Sequence, residues 1–195
     1  MSKVEPDSQR KERNKTIRWV TTIFLVTILV SGTISFVSEE IMSGSGIIVA
    51  FIILLAIVLI GILFDIIGVA VTSADEKPFH SMASRKVPGA LESIRLLRNA
   101  ERVSSICNDV VGDICGVVSG SASATIAAQI ITNFEFSFSD ILTLLMSALV
   151  SGLTVGGKAI GKTFAINSST KIVHNVGKAI RFFHNILRIF KKKTK

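Results

Sequence analysis

Gly46–Val71 reads GIIVAFIILLAIVLIGILFDIIGVAV, and its first nineteen residues hold no polar side chain. A helix needs about 20 mostly apolar residues to cross the hydrocarbon layer of a bilayer, so this stretch predicts a transmembrane helix. Three more apolar stretches stand out on either side of it: Trp19–Val37, Val103–Ile131 and Ile141–Ile166. The segments between them alternate in charge. Six basic residues run from Lys3 to Arg18, six more lie in Ser73–Arg102, and ten follow from Lys158 onward, which accounts for all 22. The intervening Ser38–Ser45 and Thr132–Asp140 hold no Lys or Arg and carry Glu39, Glu40, Glu135 and Asp140. Basic residues are retained in cytoplasmic loops, and short loops with this bias set orientation. The expected arrangement is a four-span, all-α, multi-pass protein of the cell membrane, with both termini and the middle segment cytoplasmic and two short acidic loops outside.

Composition agrees. The chain is 49% hydrophobic with mean hydropathy +0.58, too apolar for a soluble domain of 195 residues. The net charge of +8 flanks membrane spans, where it meets anionic lipid headgroups. No aromatic residues alternate with it as in a nucleic-acid stacking platform, so nucleic acid is not an expected partner. The first span admits two readings, since a basic tail before an apolar core also describes a signal peptide. The tail is long and no small-x-small site precedes Glu39, which favours an uncleaved span. Cys107 and Cys115 lie eight residues apart on one expected helix, about 12 Å along its axis, too far to pair. Two cysteines make neither a disulfide framework nor a zinc pattern, and reduced core residues are expected.

The parts outside the spans are small. Residues 1–16 are polar and charged, and a disordered basic tail is expected. The membrane domain covers residues 17–190. Pro78 and Pro88 bracket a basic segment, and Pro88-Gly89 is a turn signal, so juxtamembrane helices are expected across residues 76–102. In Ser168–Phe190, Ile172, Val176, Ile180, Phe183, Leu187 and Phe190 recur every three or four residues. This predicts an amphipathic helix, with a basic tail at 191–195. Its apolar stripe serves either the membrane surface or packing on the middle segment. His174 and His184 sit on it without a carboxylate between them and read as interfacial polar residues.

The third span carries a second regularity. Gly112, Gly116, Gly120, Ala124 and Ala128 fall at every fourth position, beside a parallel row of Ser119, Ser123 and Ala127. Small residues at this spacing let helix backbones approach closely in lipid. That predicts helix packing, either within the chain or in a homodimer, and it also leaves room for an ion near backbone carbonyls. In the fourth span, GGKAIGKT at Gly156–Thr163 satisfies the phosphate-loop pattern. The pattern needs a preceding strand in a βαβ unit, and an apolar span stands there instead, so nucleotide binding is not expected. No nucleophile–base pair or metal cluster is readable, and the chain is not expected to be an enzyme or to require a cofactor.

GGKAIGKTFAINSSTKIVHNVGKAIRFF, residues 156–183, resembles the end of the membrane domain in the CorB/CorC/CNNM magnesium and cobalt transporter family. That family closes its last span with a G-E-I-x-P-K-x-x-A pattern, a short turn and an amphipathic juxtamembrane helix. Gly157, Ile160 (offset by one), Lys162, Ala165 and Asn167 occupy similar places. Upstream, Phe64-Asp65-Ile66-Ile67-Gly68 stands where the family has a polar span end. A basic hairpin follows up to Asn99-Ala100, and Gly112-Asp113 falls within a residue of the family's Gly-Asn pair. The resemblance covers roughly Gly46–Phe190. It implies a divalent-cation transport domain, with magnesium or cobalt as substrate, and without the CBS domains of larger members.

The departures bear on the ion site. Lys158 stands where the pattern has Glu, Gly161 where it has Pro, and Gly68 where the first-span Glu falls. Asp65 takes a Ser-like place and Asp113 an Asn-like one. Magnesium wants hard oxygen ligands in near-octahedral order, and carboxylates inside a membrane are functional candidates by default. Asp65, Asp109 and Asp113 are therefore the candidate metal ligands, with Gly157 and Lys158 as residues that modulate the site. Lys158 either snorkels to the inner interface or occupies the ion site as a built-in cation. The second case describes a non-transporting membrane interaction protein.

Overall fold

The computed structural model describes the backbone of residues 7–134 and 139–192, and the side chains of 13–42, 44–133 and 140–186. Helix α1 spans Asp7–Ser43, α2 Ile47–Ser73, α3 Lys77–Ser84, α4 Ala90–Arg98 and α5 Ala100–Ser105. A π-helical segment, Ile106–Gly112, then leads into α6 (Asp113–Phe134), followed by α7 (Ser139–Asn167) and α8 (Ser169–Lys192). Among the described residues there is no strand. Four stretches among the described residues are long and apolar enough to cross a membrane: Arg13–Met42, Ile47–Ser73, Ala100–Asn133 and Asp140–Asn167. Each contains, or nearly contains, one expected span. The third is built from α5, the π segment and α6 end to end.

The differences lie at the span ends. The expected loop Ser38–Ser45 is mostly helix, because α1 continues to Ser43 and buries Met42 in a cluster with Ala50, Leu54, Val58, Ala122, Ile126 and Val150. Gln129 Nε2 donates to the Met42 carbonyl at 2.6 Å, fixing the end of α1 to α6. Residues 7–16, expected as a disordered tail, are the first turns of α1. Residues 1–6, Glu135 and the last three residues lie outside the described residues, as do the side chains of Leu187 and Phe190.

Helix α2 is central: it packs on α6, α7, the π segment, α5 and α8. Beyond its end at Ser73, a second cluster gathers Ala70 and Val71 with Phe79 of α3, Ile94 of α4, Ala165 of α7 and Val173 of α8. Helices α4 and α8 meet almost backbone to backbone. Gly89 adopts a left-handed φ of 89°, which costs an L side chain and not a glycine. A Cβ there would lie 2.6 Å from the Lys178 amide. Gly177 faces it, against the Ser93 side chain and the Gly89 carbonyl. Ser93 Oγ, fully buried, lies 2.9 Å from the Gly89 carbonyl and 3.1 Å from the Val173 carbonyl.

The two readings of the C-terminal amphipathic helix divide along its length. Val173 and Gly177 pack on the middle segment, whereas Ile180 and Phe183 are exposed, Phe183 at 65%. His174 turns a buried Nδ1 into the packed half without a partner. Burial, and then the nearby Lys178, push its pKa below the usual histidine value. GGKAIGKT runs inside α7 as continuous helix, so the phosphate-loop pattern has no loop.

Candidate functional site

The face of α2 that meets the third span carries Gly61, Asp65 and Gly68, all buried. These positions recur at four and three residues, one stripe of an α-helix. A Cβ on Gly61 would lie 2.8 Å from the Cβ of Cys115 and 3.9 Å from the Gly112 carbonyl. A Cβ on Gly68 would overlap the Asn108 carboxamide. The two helices are therefore antiparallel in a register that sets Gly61 beside Cys115 and Gly68 beside Asn108. Asp65, between the two glycines, lies on the same buried face.

Asp65 is 4% exposed, and its Oδ2 is buried with no hydrogen-bond partner. Asn108 Nδ2 donates to Ser104 Oγ at 3.2 Å, which leaves its Oδ1, also buried, without a partner. A buried polar atom left unpaired costs about 1–3 kcal/mol, and more when charged. Two such acceptors thus face one seam, one of them on a carboxylate. The third span is π-helical through this stretch; such insertions recur at functional sites, where they disturb the ordinary ladder of backbone bonds.

Lys158 comes from α7. Its Nζ, half-buried, donates to the Gly112 carbonyl at 3.2 Å. The side chain turns across to the third span. Gly157 sits where α7 presses on Ile62 of α2, and Gly161 repeats this one turn on, where a Cβ would lie 2.8 Å from Ile66. These glycines bring α7 close enough for Lys158 to reach Gly112.

The three candidate carboxylates do not converge. Asp109 is exposed and accepts from Ser105 Oγ at 2.6 Å. Asp113 is exposed at the mouth of a groove between α6 and α7 of about 420 Å³, which Lys158, Ser151 and Thr154 also line. Among the described residues no three His, Cys, Asp or Glu side chains are placed to hold one metal ion. Of the expected set, Asp65 alone is buried in the seam, where Asn108 lies on the facing helix. Asn108 had a readable signal, an amide in an apolar span on the helix face that carries Gly112 and Cys115.

The row of small residues also divides. Gly112 is buried. Gly116 and Gly120 have open space beside them, and Ala124 and Ala128 are exposed. The parallel row does the packing, with Ser119, Ser123 and Ala127 at 2% exposure or less. The carbonyls of Gly116 and Gly120 already accept from Ser119 and Ser123. Both cysteines are free thiols. Comparison of the chain with family models, curated proteins and solved structures returned no match.

Proposed function

We propose that this chain is a divalent-cation transport domain of the cytoplasmic membrane, with magnesium as the substrate that visits the seam between α2 and the π segment. The observation that carries the reading is the pair of buried, unpartnered oxygens, Asp65 Oδ2 and Asn108 Oδ1. Both are hard ligands. Magnesium keeps several waters and takes one or two carboxylates, a demand that two side-chain oxygens beside an irregular backbone can meet. The resemblance to the CorB/CorC/CNNM family points the same way. The test is a magnesium titration of thermal unfolding on protein purified in detergent. A ligand that binds the folded state raises the midpoint by mass action. The wild type is expected to respond and Asp65→Asn to lose the response. An equal response in both would remove Asp65 from the site.

A specific contact favours the alternative as well. Lys158, bonded to Gly112, is a cation already in place beside the seam. In that reading the chain is a membrane scaffold whose ion site is held closed.

The charge pattern supports cytoplasmic termini. In a background with Cys107 and Cys115 replaced by Ala, a cysteine at Ser43 is expected to react with an impermeant maleimide on intact cells. One at Ser84 is expected to react only after permeabilisation; external labelling of Ser84 would invert the topology. The outer face of α6 supports a homodimer. Among the exposed large hydrophobic residues α6 contributes Val117, whereas α2 and α7 each contribute many. A face of Asp113, Gly120, Ser121, Ala124 and Ala128 suits a second helix better than lipid.

A further inference from the structure

Helix α1 rests on the third span through Ile23, which packs on Val110, Ile114 and Val118. Toward the start of both spans the helices part. They leave a cavity of about 620 Å³ lined by Lys15, Arg18 and Trp19 of α1 and by Glu101, Arg102 and Ser105 of α5, among others. The two apolar stretches begin at Arg13 and Ala100, so the cavity opens where both helices enter the hydrocarbon layer.

Three features define its ligand. Three cations face one carboxylate, and none of Lys15, Arg18 and Arg102 makes an ion pair among the described residues. Arginine forms short, charge-assisted bonds with phosphate oxygens. Trp19 is partly exposed at the rim, at 39%, and Val26 and Leu29, four and seven residues beyond the cavity-lining Thr22, continue its side of α1 as an open apolar face further in. Trp belongs at the headgroup level. A free phosphate would use the cations and leave the apolar face idle, whereas a phospholipid uses both. Basic pockets between spans are where anionic headgroups settle.

We infer that the wedge between α1 and α5 is a binding site for one anionic phospholipid, its phosphate held by Arg18 and Arg102 and its acyl chains laid along Val26 and Leu29. The site would clamp the outlying first span to the rest of the domain. It is independent of the cation site.

The test is lipid retention. Full-length protein is purified in neutral detergent from vesicles of equal phosphatidylglycerol and phosphatidylcholine, washed, and weighed by native mass spectrometry. Wild type is expected to retain one phosphatidylglycerol. Arg18→Gln with Arg102→Gln is expected to reduce retention at least tenfold, and Arg102→Gln alone to reduce it partly. Lys171→Gln with Lys178→Gln, which removes as much charge from α8, is expected to retain the lipid. Equal retention of phosphatidylcholine, an unaffected double variant, or equal loss in the α8 variant would overturn the site. Full displacement by glycerol 3-phosphate at matched concentration would make a free phosphate the ligand and overturn the lipid assignment. Both arginines are exposed, so the variants keep the fold, and circular dichroism checks that they do.

Discussion

Phe79→Ala is expected to destabilise the protein by about 3–5 kcal/mol, the range for removing a buried phenylalanine ring. Phe79 is fully buried and lies in one cluster with Ala70, Val71, Ile94, Ala165 and Val173. Pro78 begins α3 within its first turn. The cluster that holds Phe79 draws on five helices. Its position makes the hydrophobic effect count in full. Between spans, lipid is as apolar as leucine, and association rests on packing and hydrogen bonds. Phe79 lies beyond the end of the second span at Ser73, where the unfolded segment meets water. Unfolding in mild detergent, followed by circular dichroism, measures the loss. Leu91→Ala serves as the control, because Leu91 is 61% exposed and its loss leaves no cavity. Equal losses in the two variants would show that the cluster does not hold the juxtamembrane helices.

What could be read in advance followed from the bilayer as a solvent. Hydrocarbon forces every backbone group into helix, so an apolar run such as Gly46–Phe64 has few alternatives, and the spans were legible from length alone. Packing between spans was not. Every-fourth spacing marked Gly116 and Gly120 as a close-approach row, yet the chain packs through Ser119 and Ser123 one position away. In a span whose faces are all apolar or small, no contrast separates the inward side from the outward one, and only neighbours decide. The end of α1 was misread for a similar reason. Glu39 and Glu40 look like a loop, but they remain exposed on a helix that carries Met42 into the core. The α8 stripe was legible as a stripe; that it divides at Gly177 depends on the close approach to Gly89, which involves a residue 88 positions away. Asp65 stood out as a charge in an apolar run. Asn108 was legible as an amide in an apolar span, but its place beside Gly68 comes from the antiparallel register.

Lys158→Met is expected to lower stability in metal-free buffer and to increase the response to magnesium. The register places the charges. The Lys158 ammonium lies 3.2 Å from the Gly112 carbonyl, which lies 3.9 Å from a Cβ built on Gly61. Asp65 is one turn, about 6 Å, further along α2. The ammonium and the buried carboxylate are therefore on the order of 10 Å apart, too far for an ion pair and close enough to feel each other. At an effective dielectric of about 20, an ammonium and a divalent ion at that distance repel by about 3 kcal/mol, more than a hundredfold in affinity. Partial exposure of Lys158 screens some of this, so about a tenfold tightening of magnesium binding is the expected minimum. Removing one member of a buried charge arrangement is destabilising, by about 3–5 kcal/mol for a direct pair and less at this separation. Methionine keeps the length and apolar stem, so the variant changes charge more than packing. Thermal unfolding of wild type, Lys158→Met and the double variant Asp65→Asn with Lys158→Met, each with and without magnesium, separates the cases. If the site binds magnesium in the native protein, wild type responds and Lys158→Met responds at lower concentration. If Lys158 holds the site closed, wild type is indifferent and Lys158→Met alone responds. In both cases the double variant loses the response, because the effect passes through Asp65. A Lys158→Met variant that matches wild type with and without magnesium would uncouple the lysine from the carboxylate and end both versions of the argument.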